Sequence, residues 1–341
     1  MKNLYKKIIF CTLLFIFSIA IFLTALELAL RSGIIKNRLY NRLACEKELT
    51  SPRFKILVMG DSFGYIILDF LSRELKPYKA KILNTADSGM GPFEYAAEMK
   101  ARGIVFKPDI AVLLYYTGND LTDVQYNTQN KADFKNRAFN FIRPIIYRLY
   151  IYHFYMEERN SLFPKLFDYK KFSKNGIDAR MVSLAKSGQV NPWLLELSLK
   201  DEDYLLENIL IQTEDSIRAW DRTKVLLGQI QALCNKLNSE FVIVIFPSTV
   251  QVNKSHYAFY RDLKFNIDET MASSDKPQRL LKEFCEEKKI LCLDLLPYFK
   301  AEPGKELYTE NDDHLNEIGN ILSARIIKDF LIKNTNLEAN R

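Results

Sequence analysis

Lys55-Ile-Leu-Val-Met-Gly-Asp-Ser-Phe-Gly64 is an apolar run that stops abruptly at small and polar residues. A short apolar run bounded by turn residues has the character of a buried strand, and the spacing predicts one over about 55 to 60. The glycine-flanked turn that follows exposes the Ser62 hydroxyl where a base can reach it, as a serine nucleophile requires. Asp61 or Ser62 also suits an ordinary strand-to-helix turn as a helix N-cap, and Gly-Asp-Ser alone leaves both readings open.

Outward from this stretch, apolar residues at Ile66, Ile67, Phe70 and Leu71 give Tyr65 to Leu75 a helical spacing. Ala80 to Leu83 reads as a second strand, and Pro92 opens a helix. Ile110 to Tyr116 is a continuous apolar run of the kind covered on both faces. The order so far is strand, helix, strand, helix, strand, with a polar cluster just past each strand. In open α/β sheets ligands bind at that edge.

Residues 121 to about 200 break the rhythm with aromatic and basic stretches, Arg143 to Tyr155 and Phe167 to Phe172. A structureless loop of that length is improbable in a compact domain, so a mostly helical inserted cap is expected there. Its aromatics suit a small core of their own, and beside an active site they also suit stacking on sugars. One long helix is expected from about Asp201 to Leu237, then a strand at Phe241 to Phe246, a helix at Lys276 to Lys288, a strand at Ile290 to Leu293 and a closing helix at Leu315 to Ile332. Five strands joined by long helical crossovers predict a parallel sheet in a three-layer α/β/α domain.

The 341 residues, 48% of them hydrophobic, supply ample core, and a net charge of +6 with 48 basic residues among 42 acidic ones gives no basic stripe for nucleic acid. Ile8 to Leu26 runs nineteen residues without a charge after Lys2, Lys6 and Lys7, long enough to cross a bilayer. An uncleaved anchor is expected, with 1–32 as tail and span, 33–52 as a tether, and 53–335 as a domain outside the cytoplasm. The five cysteines show no metal spacing; Cys234, Cys285 and Cys292 allow a disulfide in an oxidising compartment.

A serine hydroxyl needs a general base, itself oriented by a third group. Of three histidines, His153 lies in the cap, His256 follows a strand, and His314 alone has carboxylates, Asp312 and Asp313, within two positions. The same Asn311-Asp312-Asp313 cluster also reads as a helix N-cap, and Gly319 would let the following helix pack closely. Acyl transfer further needs donors for the developing negative charge. Gly89 offers an unobstructed N–H, Asn119 a side-chain amide, and Ser62 its own backbone N–H.

Four stretches, Gly60-Asp-Ser62, Asn84-Thr-Ala-Asp-Ser-Gly89, Tyr116-Thr-Gly-Asn-Asp120 and Asn311-Asp-Asp-His-Leu-Asn316, resemble in this order the four blocks of the SGNH branch of the GDSL hydrolases. The resemblance covers about 53–120 and 240–335, leaving the anchor and cap outside. It implies a flavodoxin-like α/β/α fold, Ser62, His314 and a carboxylate as catalytic triad, and an oxyanion hole from Ser62, Gly89 and Asn119. Two departures stand out: Gly118 directly precedes Asn119, and Asn311 stands where the family often has an aspartate. A two-residue offset, as in glycan O-acetyltransferase-like members, points to Asp312, with Asp313 as the alternative.

The expectation is therefore a serine ester hydrolase acting on acyl, chiefly acetyl, esters of cell-surface or secreted polysaccharide, requiring no cofactor and no metal. The alternatives are an O-acetyltransferase using the same site and a catalytically silent glycan-binding or assembly protein. The expected partners are an acylated glycan or other ester and the membrane.

Overall fold

The structure, a computed structural model, describes residues 2–32, 34–35, 54–129, 145–146, 149–162, 167–302 and 304–340. The expected tether beyond residue 35, Cys45 and the part of the cap between 130 and 144 lie outside the described residues.

The sheet has five parallel strands: β1 Lys55–Gly60, β2 Lys81–Asn84, β3 Ile110–Tyr116, β4 Glu240–Phe246 and β5 Leu291–Asp294. Their spatial order, β2-β1-β3-β4-β5, is that of the flavodoxin-like doubly wound sheet. The expected five-stranded parallel α/β fold is thus the observed one. Strand limits differ from expectation by no more than one residue, at both ends of β2 and β5 and at the start of β4.

Alternation along the strands divides the core in two. On one face Ile56, Val58, Val112, Leu114, Val242 and Val244 pack under α2 (Ser62–Leu75) and α15 (Glu317–Asn334). On the other, Leu57, Met59, Leu113 and Ile243 pack under α3 (Pro92–Glu98), α4 (Asp120–Gln129), α10 (Glu214–Leu237) and α13 (Lys276–Lys288). Side chains with period two bury both faces of a sheet only when helices cover each, which explains the unbroken apolar strands.

The single helix expected over Asp201 to Leu237 is two, α9 (Tyr204–Leu210) and α10. The chain breaks at Ile211, whose φ of 48° is left-handed, and restarts at Thr213, whose side chain accepts the Ser216 N–H. Thr213-Glu214-Asp215 carries the cap and acidic first turn of a helix start, a signal present in the sequence.

Between α4 and α9 lie α5 (Tyr150–Leu162), α6 (Tyr169–Lys174), α7 (Ala179–Lys186) and α8 (Pro192–Lys200). The segment differs from a self-contained block over 121–200 in two respects. Leu121 and Val124 of α4 belong to the central core. The helices from Phe172 to Ile209 share their own core with Val250 in α11 (Thr249–Val252), with Tyr257 and Tyr260 in α12 (Tyr257–Asp262), and with Phe265. Two crossovers, one after β3 and one after β4, therefore build one helical layer at the carboxyl edge of the sheet. A short α14 (Leu296–Lys300) follows β5.

The N-terminal helix α1 (Lys2–Ser32) holds a 23-residue stretch, Phe10–Ser32, in which an 18-residue window reaches a mean hydropathy of 2.5, long and apolar enough to cross a membrane. Cys234 and Cys285 are buried thiols, and they and Cys292 carry no disulfide.

Candidate active site

Ser62 is the first residue of α2, delivered by β1 at the point where the strand order reverses between β1 and β3. The N-cap reading of the Asp61-Ser62 turn holds for Asp61. Asp61 is the N-cap, its Oδ1 accepting the Phe63 N–H at 2.9 Å, which leaves the Ser62 hydroxyl uncommitted to capping. As the first helical residue, Ser62 also has a backbone N–H with no partner one turn back.

The Ser62 hydroxyl meets His314 across 252 residues of sequence, Oγ to Nε2 being 2.7 Å. On the other side of the ring, Nδ1 lies 2.8 Å from Asp312 Oδ1 and 3.2 Å from Asp313 Oδ1. With the proton on Nδ1, His314 donates to Asp312 and accepts from Ser62, the tautomer a general base requires. Phe63 fixes the ring plane: it stacks on Tyr116 with centroids 4.0 Å apart and on His314 at 5.3 Å.

His314 is held by a loop that closes on itself. Thr309 N–H donates to the His314 carbonyl at 2.8 Å, Asn316 N–H to Leu307 at 3.0 Å, and Tyr308 bridges Leu315. The helix that follows is capped by Asn316, whose Oδ1 accepts the Gly319 N–H at 3.0 Å. Asp313 therefore does not cap α15, contrary to the sequence expectation. It turns inward beside His314 because the tight loop places both carboxylates on the ring's Nδ1 side. Gly319 is required by packing, since a Cβ there would collide with the Leu307 carbonyl.

The charges are strongly linked. Burial works against an ionised Asp313, and the neighbouring charge of Asp312 pushes its pKa further up. Burial also opposes ionisation of Asp312, but hydrogen bonds from His314 and Asp313 hold its pKa below the usual carboxylate range. For His314, burial disfavours the imidazolium, yet the charge of Asp313, the Asp312 hydrogen bond and the charges of Asp312 and Asp61 outweigh it and raise the pKa to about 9.

Asn119 lies past β3, and its Nδ2 donates to the buried Asp61 Oδ2 at 2.9 Å. Among the described residues no acceptor takes its second N–H. Gly89 stands in the exposed loop after β2 with a φ of 75°, which a side chain would resist. That loop is tied to the nucleophile turn by Asp87 N–H donating to the Gly60 carbonyl at 3.3 Å. Asp61 and Phe63 had no assigned role at the site beyond capping. Their signal was adjacency to Ser62, which in a one-dimensional reading also fits a plain turn.

The other histidines are elsewhere. His153 Nε2 is 2.8 Å from Arg102 Nη2 in a buried cluster with Glu98, and His256 Nε2 is 2.8 Å from Glu306. Donor atoms of Asp312, Asp313 and His314 lie within 4.8 Å of one another and are the described group able to hold a metal ion. A cation there would compete for the Nδ1 that Asp312 already accepts from.

A cleft of about 750 Å³ runs between the helical layer and the His314 loop, with Tyr169, Gln189, Asn191, Thr309 and Asn311 on its walls and Asp312 at its margin.

No family model matches the sequence. No curated protein matches it either. Among solved structures, an acetyl xylan esterase is 10% identical, with 81% of this chain and 98% of that one covered at a TM-score of 0.43. A catalytic mutant of an acetylxylan esterase from Geobacillus stearothermophilus is 12% identical, covering 82% of this chain and 94% of that one at 0.42. A GDSL-like lipase from Bacteroides thetaiotaomicron is 10% identical, covering 86% and 97% at 0.41. These two acetyl xylan esterases and this GDSL-like lipase are among the proteins the chain is similar to.

Proposed function

We propose that this protein is a serine esterase that removes acyl groups, chiefly acetyl, from polysaccharide. The observation that carries the reading is the continuous chain Ser62 Oγ, His314 Nε2, His314 Nδ1, Asp312 Oδ1, with links of 2.7 and 2.8 Å.

Ser62 Oγ attacks the ester carbonyl while His314 Nε2 takes its proton, and Asp312 stabilises the imidazolium that forms. Negative charge on the carbonyl oxygen is met by the free N–H of Asn119 and the backbone N–H groups of Ser62 and Gly89. As the tetrahedral intermediate collapses, His314 returns the proton to the departing sugar hydroxyl. Water then repeats the sequence on the acyl-enzyme, with His314 as base and Ser62 as leaving group. The cleft beside Asp312 supports a glycan, because its walls combine an aromatic ring, amides and a hydroxyl, with Lys186 and Glu310 adding one charge of each sign. Membrane anchoring through α1 belongs to the same proposal, with the catalytic domain outside the cytoplasm.

The experiment incubates the protein with a small aryl acetate, an acetylated polysaccharide, and a deacetylated polysaccharide plus an acetyl donor. Acetate release from the first two with Ser62 acylated supports the reading. Transfer to sugar without release makes the protein an O-acetyltransferase, and neither release nor transfer in any of the three overturns acyl chemistry.

A further inference from the structure

The last turns of α1 are not bare helix. Leu30 is 1% exposed, packed with Tyr150, Leu26, Ile35, Ile151 and Phe154. Glu27, the first charge after the apolar run, reaches the start of α5: its Oε1 accepts the Tyr150 N–H at 3.1 Å and its Oε2 the Ile151 N–H at 2.9 Å. The first N–H groups of any helix lack partners within it, and the positive end of the helix dipole favours a carboxylate. Here that carboxylate comes from another helix, 123 residues away. Arg31 pairs with Glu27 at 2.7 Å and lies 4.9 Å over the Tyr150 ring.

Helix α5 is in turn fastened to the sheet layer. His153 and Arg102 meet at 2.8 Å, and Arg102 pairs with Glu98 of α3 at 2.8 Å, all three buried. The anchor is thus joined through α5 to α3, the helix that follows the Gly89 loop. Large apolar side chains at this junction remain open to solvent: Ile34 at 80%, Ile145 and Tyr155 at 60%, and Leu149 at 40%. Leu149 directly precedes the residue held by Glu27 and its N–H bonds to the carbonyl of Ile146, next to Ile145; Tyr155 follows Phe154, which packs on Leu30; and Ile34 N–H bonds back to Ala29 of α1, so these residues lie beside the exit of the span. Tyrosine and aliphatic side chains at that depth suit the headgroup boundary, where one end is wet and the other apolar.

We propose that Glu27, Arg31 and the start of α5 form a rigid collar that seats the catalytic domain on the bilayer, with the Ile34, Ile145, Leu149 and Tyr155 edge resting in a lipid headgroup surface. The proposal rests on α1 being a membrane span. The domain is then held at a fixed height and tilt instead of swinging on a tether.

The test uses the full-length protein in phosphatidylcholine/phosphatidylglycerol vesicles whose lipids are brominated near the headgroup end of the chains. Leu149→Trp and Tyr155→Trp each add a fluorophore at the edge, and Ile318→Trp adds one at the start of α15 as comparison. The collar predicts that the fluorescence added at 149 or 155 is at least halved by brominated lipid while that added at 318 is unchanged, and that Glu27→Ala abolishes the difference. Protein that resists carbonate extraction but shows equal quenching at all three positions overturns the collar and leaves the span standing. Release by carbonate overturns the span and the collar together. If one tryptophan variant fails to fold, the other gives the same reading.

Discussion

Asn119 donates from Nδ2 to Asp61 Oδ2 at 2.9 Å, joining the residues past the ends of β3 and β1 across the point where the strand order reverses. Asp61 has no exposed surface, and its other oxygen caps the helix that begins with Ser62. One buried carboxylate therefore sets both the entry angle of the helix that carries Ser62 and the orientation of Asn119, the proposed oxyanion donor. Burial raises its pKa, opposed by the hydrogen bonds from Asn119 and Phe63.

Asp61→Asn separates these duties. Asparagine keeps the cap, since its Oδ1 accepts the Phe63 N–H, but its amide nitrogen then faces the Asn119 amide nitrogen, donor against donor. The expected result is a fall in kcat/KM of about tenfold or more, with a small change in Tm; loss of an oxyanion donor costs about a hundredfold or more. Asp61→Ala should also lose about 0.5–2 kcal/mol of stability with the cap. Unchanged turnover in Asp61→Asn would remove the positioning role from Asp61.

For the nucleophile, Ser62→Ala should preserve the circular-dichroism spectrum and Tm while lowering kcat by about a thousandfold or more. A fluorophosphonate should label the wild type and not the variant. Retention of a tenth of the activity would end the serine mechanism.

Sheet and blocks were legible in the sequence for a physical reason. Strands buried on both faces read as continuous apolar runs, and the turns past β1 and β3 must carry residues that tolerate close approach. The border of the helical layer was not legible, because α11, α12 and Phe265 join the 172–209 cluster through contacts between two separate crossovers. That Asp313 turns inward beside His314 instead of capping the closing helix was hidden for a related reason. Period-two alternation holds for extended chain, and the 309–314 loop is tightly folded, with Asn311 in the left-handed region. The collar was hidden altogether, since nothing local in Glu27 announces a helix terminus far along the chain.

Charge on the Asp312–Asp313–His314 cluster gives a stability signature. The folded state binds the His314 proton more tightly than the unfolded chain, with a pKa raised from 6.5 to about 9. That contribution is complete below the unfolded value and disappears as pH rises through the folded one. Asp312, depressed below its ordinary 3.8, contributes above that value and loses the contribution as pH falls beneath it. Thermal melts of wild type and His314→Gln should therefore converge as pH rises from about 6.5 to about 9. A stability difference that instead grows over that interval would reverse the sign of the His314 shift.

Asp312 and Asp313 should separate in kinetics. Only neutral His314 accepts the Ser62 proton, so the acid limb of kcat/KM should lie above the ordinary histidine value of 6.5 and toward 9. The charge of Asp313 is the largest influence raising that pKa, whereas Asp312 makes the hydrogen bond to Nδ1 at 2.8 Å and Asp313 Oδ1 lies 3.2 Å away without one. Asp313→Asn should thus move the acid limb toward lower pH, leaving the maximal rate within a few fold and making the variant the better enzyme at pH 6. Asp312→Asn should lower the maximal rate about a hundredfold or more across the whole profile, since His314 loses its tautomer-fixing acceptor. The measurement is a pH profile of kcat/KM for both variants on a small aryl acetate. A hundredfold loss in Asp313→Asn with an unmoved limb, alongside a shifted but active Asp312→Asn, would make Asp313 the third member of the triad and Asp312 its charged neighbour.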